Sequence, residues 1–155
     1  MPKRDPQLRL RLDAVANAAD AAWRDGARVA YLGGWLTLEL DTDRPRPERL
    51  GDALHLPLPP AATPRQIRDM TESWLRDEAL RVLRDSALAT RHPDAATLRI
   101  VLSFSRHGDW VARDGGVLRC YWRLIEQPLP VIEQALVRAM TEATPTAVED
   151  LFALG

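Results

Sequence analysis

The feature that most constrains the fold is a long amphipathic stretch in the middle of the chain, TPRQIRDMTESWLRDEALRVLRDSAL. Thr63 is a suitable N-cap, and Pro64 falls at the first helical position, where the N–H that proline lacks would have no intrahelical partner. Apolar residues then recur at three- and four-residue spacing, which predicts a helix with one buried face. The members of that face are Ile67, Met70, Trp74, Ala79, Val82 and Ser86, widened by Leu75 and Leu83.

Extended segments are predicted between the N-terminal region and this helix. Residues 28–40, RVAYLGGWLTLEL, have the pattern of a hairpin that turns at Gly33-Gly34, a pair that tolerates positive φ. Residues 41–52 contain two prolines and are predicted to form a polar loop. Residues 53–60, ALHLPLPP, are predicted to form a short strand at a sheet edge.

The two ends of the chain add helices and further strands. Residues 6–26 carry apolar residues at helical spacing and end at a glycine, which predicts an N-terminal helix. Residues 97–105 alternate as a strand, residues 109–122 predict a second hairpin turning at Asp114-Gly115-Gly116, and residues 130–143 predict a last helix. Strands and helices are thus segregated along the chain, which indicates an α+β fold.

Composition narrows the class of protein. A chain of 155 residues favours a single domain, residues 1–155. No apolar run approaches the roughly 18–20 residues that span a bilayer, and the N-terminus lacks the apolar core of a signal peptide, so we expect a cytoplasmic protein without membrane partners. Cys120 is the single cysteine, which excludes an internal disulfide. The net charge of −1 provides no global positive field for nucleic acid.

Several short blocks resemble one family. Residues 122–128, WRLIEQP, and 131–133, VIE, follow a tryptophan, Trp110, that precedes a hairpin. Upstream, YLG at residues 31–33 and W-x-x-x-x-A at residues 74–79 complete the pattern. Together these blocks resemble the YgjP-like metallopeptidases, relatives of SprT-like and other zincins, whose pattern includes Y-L-G, R-W-G-S-C and N-W-R-L-I-x-x-P, followed by V-I-D-Y-V-V-V-H-E-L-x-H.

The resemblance spans roughly residues 30–155. It implies a zincin-like fold, with a small, mostly antiparallel sheet packed against helices. Residues 29–155 would form the family region, and residues 1–28 an N-terminal helical extension. Trp110, Trp122, Arg123 and Pro128 match family positions and are expected to be structural, with Arg123 in a hydrogen bond or an ion pair.

The zinc-binding motif of the family is missing. In the ungapped register the H-E-x-x-H positions read RAMTE, so that Arg138, Ala139 and Glu142 replace the first histidine, the glutamate and the second histidine. The third ligand would fall near Val148. Only Glu142 could bind a metal, whereas a catalytic zinc needs three protein ligands. We therefore expect no metal ligands, no catalytic residues and no cofactor.

Two interpretations of Arg138 and Glu142 remain open. Because they lie four residues apart on a helix, they could form an ion pair that fills the vacated metal pocket, or a solvated pair on the helix surface. The other side of the same helix is predicted to pack in a core. Its members are Ile132, Leu136, Met140 and Ala143, widened by Val131, Ala135 and Ala139.

Other reactive side chains are isolated. His55, His92 and His107 fall on three different predicted elements and lack the spacing of metal ligands. Cys120 has no histidine partner placed beside it and is expected to pack as a small apolar residue. Four tryptophans, Trp35, Trp74, Trp110 and Trp122, are expected to be buried or half-buried rather than to form a platform for nucleic acid.

Three hypotheses for function follow. The first is a pseudo-enzyme that acts by binding another macromolecule, namely a protein, as a scaffold. The second is a divergent metal-dependent peptidase that uses Glu142 with His107 and a carboxylate, Asp109 or Glu133. The third is a nucleic-acid-associated binding module, by analogy of fold with the SprT-like relatives, which the net charge makes unfavourable.

Overall fold

The computed structural model of the chain describes residues 22–106 and 108–142. The described residues fall into two compact units, one holding residues 22–29 and Trp35–Trp74, the other holding Ala30–Gly34, residues 75–106 and residues 108–142. The single domain expected from chain length stays a prediction. Within the described residues no helix is long and apolar enough to cross a membrane.

The first sheet has four strands in the order β1-β2-β4-β3. These are β1 (Arg28–Tyr31), β2 (Gly34–Leu40), β3 (Glu48–Leu50) and β4 (Ala53–Leu56). β2 pairs with β4 in parallel, whereas β3 pairs with β4 antiparallel. Alternate side chains of the two inner strands point into the core, namely Leu36, Leu38, Leu54 and Leu56.

Two predictions in this region were wrong. β4 was expected at a sheet edge, but it lies between β2 and β3. The prolines that suggested an edge, Pro57 and Pro59, follow the strand and remove no hydrogen bond from its ladder. β3 lies within the predicted loop of residues 41–52, and its three exposed residues carry no apolar alternation by which a strand could be detected.

The long central helix forms as predicted. Helix α1 spans Pro64–Ala89, and its first turn is closed by a capping box. The Gln66 N–H donates to Thr63 Oγ1 at 3.2 Å, and the Thr63 N–H donates to Gln66 Oε1 at 2.9 Å. Most of the predicted face is buried, with Met70 and Trp74 half-buried at its margin.

The second unit contains a three-stranded sheet in the order β5-β7-β6 and a C-terminal pair of helical segments. The strands are β5 (Arg99–Ser103), β6 (Val111–Asp114) and β7 (Val117–Tyr121). A 3₁₀ segment, Trp122–Glu126, follows, and helix α2 spans Leu129–Glu142. The hairpin between β6 and β7 and the last helix thus lie where they were predicted.

Strand pairing in the second sheet is also mixed. β5 pairs with β7 in parallel and β6 pairs with β7 antiparallel. The α+β class is confirmed, but the single, mostly antiparallel sheet is replaced by two small mixed sheets. The second sheet is mixed because β7, a strand of the hairpin, also pairs in parallel with β5. Which strands become neighbours depends on long-range packing, and local sequence patterns carry no information about it.

The remaining sequence predictions fall at the ends of the chain. Residues 1–21, which carry most of the predicted N-terminal helix, lie outside the described residues, and residues 22–26 form turns. Val148, Ala143 and His107 also lie outside the described residues.

A tight turn between β1 and β2 lies against the 3₁₀ segment. Leu32 and Gly33 both have positive φ, +46° and +81°, as the two central residues of a type I′ hairpin turn require. The Leu32 N–H donates to the Ile125 carbonyl at 2.7 Å, and the Gly33 N–H donates to the Glu126 carbonyl at 2.9 Å. A Cβ on Gly33 would lie 2.8 Å from Pro128 Cγ, so this position admits only glycine without local rearrangement.

The turn was predicted one residue too late. Gly33-Gly34 was expected at its centre, but Gly34 is the first residue of β2, and Leu32 takes the other central position. A leucine with positive φ is unusual, because its Cβ crowds the backbone. The two backbone hydrogen bonds to the 3₁₀ segment explain why this conformation is kept.

We predict that Gly33→Ala lowers the free energy of unfolding by more than Gly26→Ala does. Both glycines have nearly the same φ, +81° and +83°, so both variants carry a backbone cost of about 1–2 kcal/mol. Only Gly33 faces Pro128, which adds about 1–3 kcal/mol of overpacking, whereas a Cβ on Gly26 meets nothing within 4 Å. Urea unfolding of the two variants measures the difference, and equal losses would contradict the close packing at Pro128.

We also predict that Thr71→Val stabilises the protein. Thr71 is fully buried on α1, and its hydroxyl has no hydrogen-bond partner among the described residues. Replacing that hydroxyl with a methyl group removes a desolvation cost, so the free energy of unfolding should rise by about 1 kcal/mol.

The control for this prediction is Thr71→Ser, which keeps the hydroxyl and deletes a buried methyl group. It should lower the free energy of unfolding by about 1 kcal/mol. Urea unfolding measures both variants, and a valine variant less stable than the wild type would show that the hydroxyl is satisfied.

Candidate functional site

Helix α2 carries the residues that align with the zinc-binding motif in the resemblance, Arg138, Ala139 and Glu142. Its inner face is buried, as predicted. The side chains of Ile132, Leu136 and Met140 are each no more than 1% exposed, and Ala139 is 8% exposed. Val131 was expected to widen this face but is 43% exposed, because it lies one position beyond the stripe that contacts the core.

Arg138 and Glu142 lie on the outward face of the same helix. Their side chains are 79% and 69% exposed, and Arg138 Nε lies 3.7 Å from Glu142 Oε1. A pair this exposed is screened by water and contributes at most a few tenths of a kcal/mol. It is a solvated surface pair, and the guanidinium does not occupy a buried cavity.

The outward face of α2 borders an open concavity of about 650 Å³, which we call the α2 groove. Pro130, Val137 and Thr90 supply apolar atoms, while Glu133, Arg138 and Glu142 supply charges. Two carboxylates of the divergent-peptidase hypothesis, Glu133 and Glu142, thus line one groove. Asp109 lines a different and smaller pocket.

The side chains at these aligned positions do not form a donor set that fits zinc. Arg138 presents a cation, Ala139 presents a methyl group turned toward the core, and the Glu142 carboxylate is paired with Arg138. Zinc is held by imidazole, thiolate and carboxylate groups, and a lone carboxylate is not a zinc site. In the two described stretches, 22–106 and 108–142, no group of three or more His, Cys, Asp or Glu side chains is arranged to hold a metal ion.

The residues that carry the resemblance, Trp110, Trp122, Arg123 and Pro128, lie in different surroundings. Trp122 is 5% exposed, and the Arg123 guanidinium lies 4.5 Å from the centre of its ring while pairing with Glu126 at 3.2 Å. This contact with Glu126 is the hydrogen bond or ion pair that was predicted for Arg123. Pro128 contacts Gly33, and Trp110 is half-buried with its ring centre 5.4 Å from that of Tyr121.

Arg113 was not singled out by its sequence context, yet it connects three elements. It lies on β6, where the family pattern has a cysteine. Its Nη1 lies 3.0 Å from Asp94 Oδ2 and donates to the Met140 carbonyl at 3.1 Å. The carbonyls of a last helical turn lack intrahelical partners, so this bond satisfies one of them and attaches the end of α2 to the sheet. The contact spans 27 residues of sequence, so no local signal could have found it.

A second cluster that sequence analysis missed surrounds Glu78 on α1. Tyr31 OH donates to Glu78 Oε2 at 2.9 Å, and Arg81 Nε lies 2.5 Å from Glu78 Oε1. The hydrogen bond to Glu78 raises the pKa of Arg81 above its ordinary value. Because both carboxylate oxygens are engaged, the 9%-exposed Glu78 acts as a structural acceptor.

The two described histidines, His55 and His92, have polar contacts of their own. His55 lies on β4, with its Nδ1 3.4 Å from Glu39 Oε2 and 3.9 Å from Asp41 Oδ2. His92 follows α1, and its Nδ1 accepts a hydrogen bond from the Asp94 N–H at 3.2 Å. Neither side chain lines the α2 groove.

Three of the four tryptophans considered as a platform for nucleic acid pack as expected. Trp122 is buried, and Trp74 and Trp110 are half-buried. Trp35 is the exception at 61% exposed, since it lies on the face of β2 opposite Leu36 and Leu38.

Cys120 packs as a small apolar residue, as expected. It lies on β7 and is fully buried. Burial raises the pKa of its thiol from 9.0 to about 12, because the thiolate would lose its hydration. The thiol therefore stays protonated at neutral pH and cannot act as a nucleophile.

Comparisons of this chain with protein-family models, with curated proteins and with solved structures found no match.

We predict that Cys120 makes the free energy of unfolding fall in alkaline solution. The thiol has a folded-state pKa of about 12 and an ordinary value of 9.0, so between these pH values the native state holds a proton that the unfolded state has released. The contribution of the Cys120 thiol to the free energy of unfolding has its full value below pH 9. Above pH 9 that contribution declines by about 1.4 kcal/mol per pH unit.

The measurement is urea unfolding of the wild type and of Cys120→Ala at several pH values from neutral to alkaline. The difference between the two proteins should stay constant below pH 9 and shrink above it. A constant difference across the whole range would show that the thiolate is tolerated in the fold.

Proposed function

We propose that this protein is a catalytically inactive member of the YgjP-like metallopeptidase family, that it acts in the cytoplasm, and that it binds another protein through the α2 groove. The observation that carries the proposal is the division of α2 into two faces. Its inner face keeps the apolar packing of a core helix, while its outer face presents an exposed ion pair at an open groove in place of metal ligands.

Contact between two of the resembling blocks supports the family assignment. YLG at residues 31–33 and WRLIEQP at residues 122–128 are separated by almost ninety positions of sequence, yet they meet through two backbone hydrogen bonds and the Gly33–Pro128 contact. Residues that retain a family pattern for packing are expected to touch one another, whereas residues matched by chance have no reason to do so.

The character of the groove supports protein binding. Val137, which lines the groove, is 40% exposed, and Glu133, Arg138 and Glu142 line the same groove. Exposed apolar side chains bordered by charges are typical of protein interaction surfaces. At about 650 Å³ the groove is large enough to receive several side chains of a partner.

The catalytic half of the proposal is tested with the full chain. Purified protein supplied with zinc should hold less than stoichiometric metal and should not cleave casein, and Glu142→Ala should behave like the wild type in both assays. Stoichiometric zinc that is lost in Glu142→Ala, together with casein cleavage, would instead establish the divergent peptidase.

The binding half is tested by site-specific photocrosslinking in living cells. A benzophenone amino acid at position 137 should yield a discrete protein adduct, whereas the same probe at Arg84, an exposed position on α1, should not. Val137→Asp should weaken binding of the identified protein about tenfold or more without changing the melting temperature. Equal adducts at both positions, or full affinity in Val137→Asp, would overturn the assignment of the groove.

A further inference from the structure

The solvent-facing side of the second sheet carries polar, charged and aromatic side chains. Along β7 the side chains alternate, so that Leu118 and Cys120 are fully buried while Arg119 and Tyr121 lie on the opposite face. The parallel register places Ser103 of β5 beside Tyr121, and the antiparallel register places Ala112 of β6 beside Arg119. These four side chains therefore share one face.

A pocket of about 110 Å³ opens on this face, which we call the outer-face pocket. The small Ala112 side chain leaves space at its floor, while Trp110 and Tyr121 form a wall with ring centres 5.4 Å apart and planes inclined by 58°. The Arg106 guanidinium covers the Trp110 ring at 4.6 Å. Only a small group fits in a pocket of this volume.

Opposite charges line the same pocket. Arg119 supplies a guanidinium and Asp109 a carboxylate, both exposed. Neither forms an ion pair with any residue that the structure describes. The Ser103 hydroxyl donates to the Ser105 carbonyl at 2.5 Å, so its oxygen remains an acceptor toward the pocket.

We propose that the outer-face pocket binds a small zwitterion, a free α-amino acid with a short side chain. Its carboxylate would accept two parallel hydrogen bonds from the Arg119 guanidinium, whose planar arrangement of N–H groups matches the geometry of a carboxylate. Its ammonium group would pair with Asp109. A pocket of about 110 Å³ excludes long side chains, and an oxyanion alone would leave Asp109 unpaired.

This proposal is independent of the α2 groove, because the two sites have no lining residue in common. A variant that loses binding at one site therefore does not test binding at the other.

The experiment is a titration of the full, isotope-labelled chain with L-alanine, followed by NMR at the Trp110 indole N–H, which is assigned from the spectrum of Trp110→Phe. L-alanine should shift this resonance with a Kd on the order of 1 mM, as expected for so small a ligand. Propionate and ethylamine each keep one of the two charges and should bind about tenfold more weakly or worse.

Three variants complete the test. Arg119→Gln and Asp109→Asn should each weaken L-alanine binding about tenfold or more, whereas Arg84→Gln on the exposed side of α1 should leave it unchanged. Backbone spectra of all three variants report whether the fold is kept. The proposal is overturned if L-alanine causes no shift, if propionate or inorganic phosphate binds as well as L-alanine, or if either site variant retains wild-type affinity.

Discussion

The second unit depends on the contact between the Leu32-Gly33 turn and the segment that leads into α2. The turn donates two backbone hydrogen bonds to that segment, and Gly33 approaches Pro128 so closely that no side chain fits between them. Because Pro128 directly precedes α2, this contact sets where the helix begins. Tyr31, one residue before the turn, is joined in turn to α1 through its hydrogen bond to Glu78.

The far end of α2 is held by a different interaction. Arg113 on β6 donates to the Met140 carbonyl and pairs with Asp94, so the last turn of the helix is attached to the sheet. Between the two attachments, the inner residues of α2 are almost completely buried. The outward face of the helix, by contrast, is exposed to solvent.

Signals confined to neighbouring residues predicted structure well. The Thr63-Pro64 start of α1, the Asp114-Gly115-Gly116 turn and the position of α2 all follow from capping, turn chemistry and helical periodicity. Predictions that required knowledge of strand neighbours failed. β4 is an inner strand despite the prolines after it, and the strand order places parallel pairs in both sheets. Pairing depends on contacts between distant segments, which propensity does not report.

The sequence by itself determined the α+β class, the amphipathic character of α1 and α2 and the lack of histidine at positions 138–142, because each depends only on residue type and spacing. Only the tertiary structure decided that Arg138 and Glu142 are solvated, that Arg113 secures the end of α2, and that Arg119 and Asp109 line one pocket. The physical reason is that exposure and long-range contact depend on which face of each element is covered by another, and that is known only once the chain has packed.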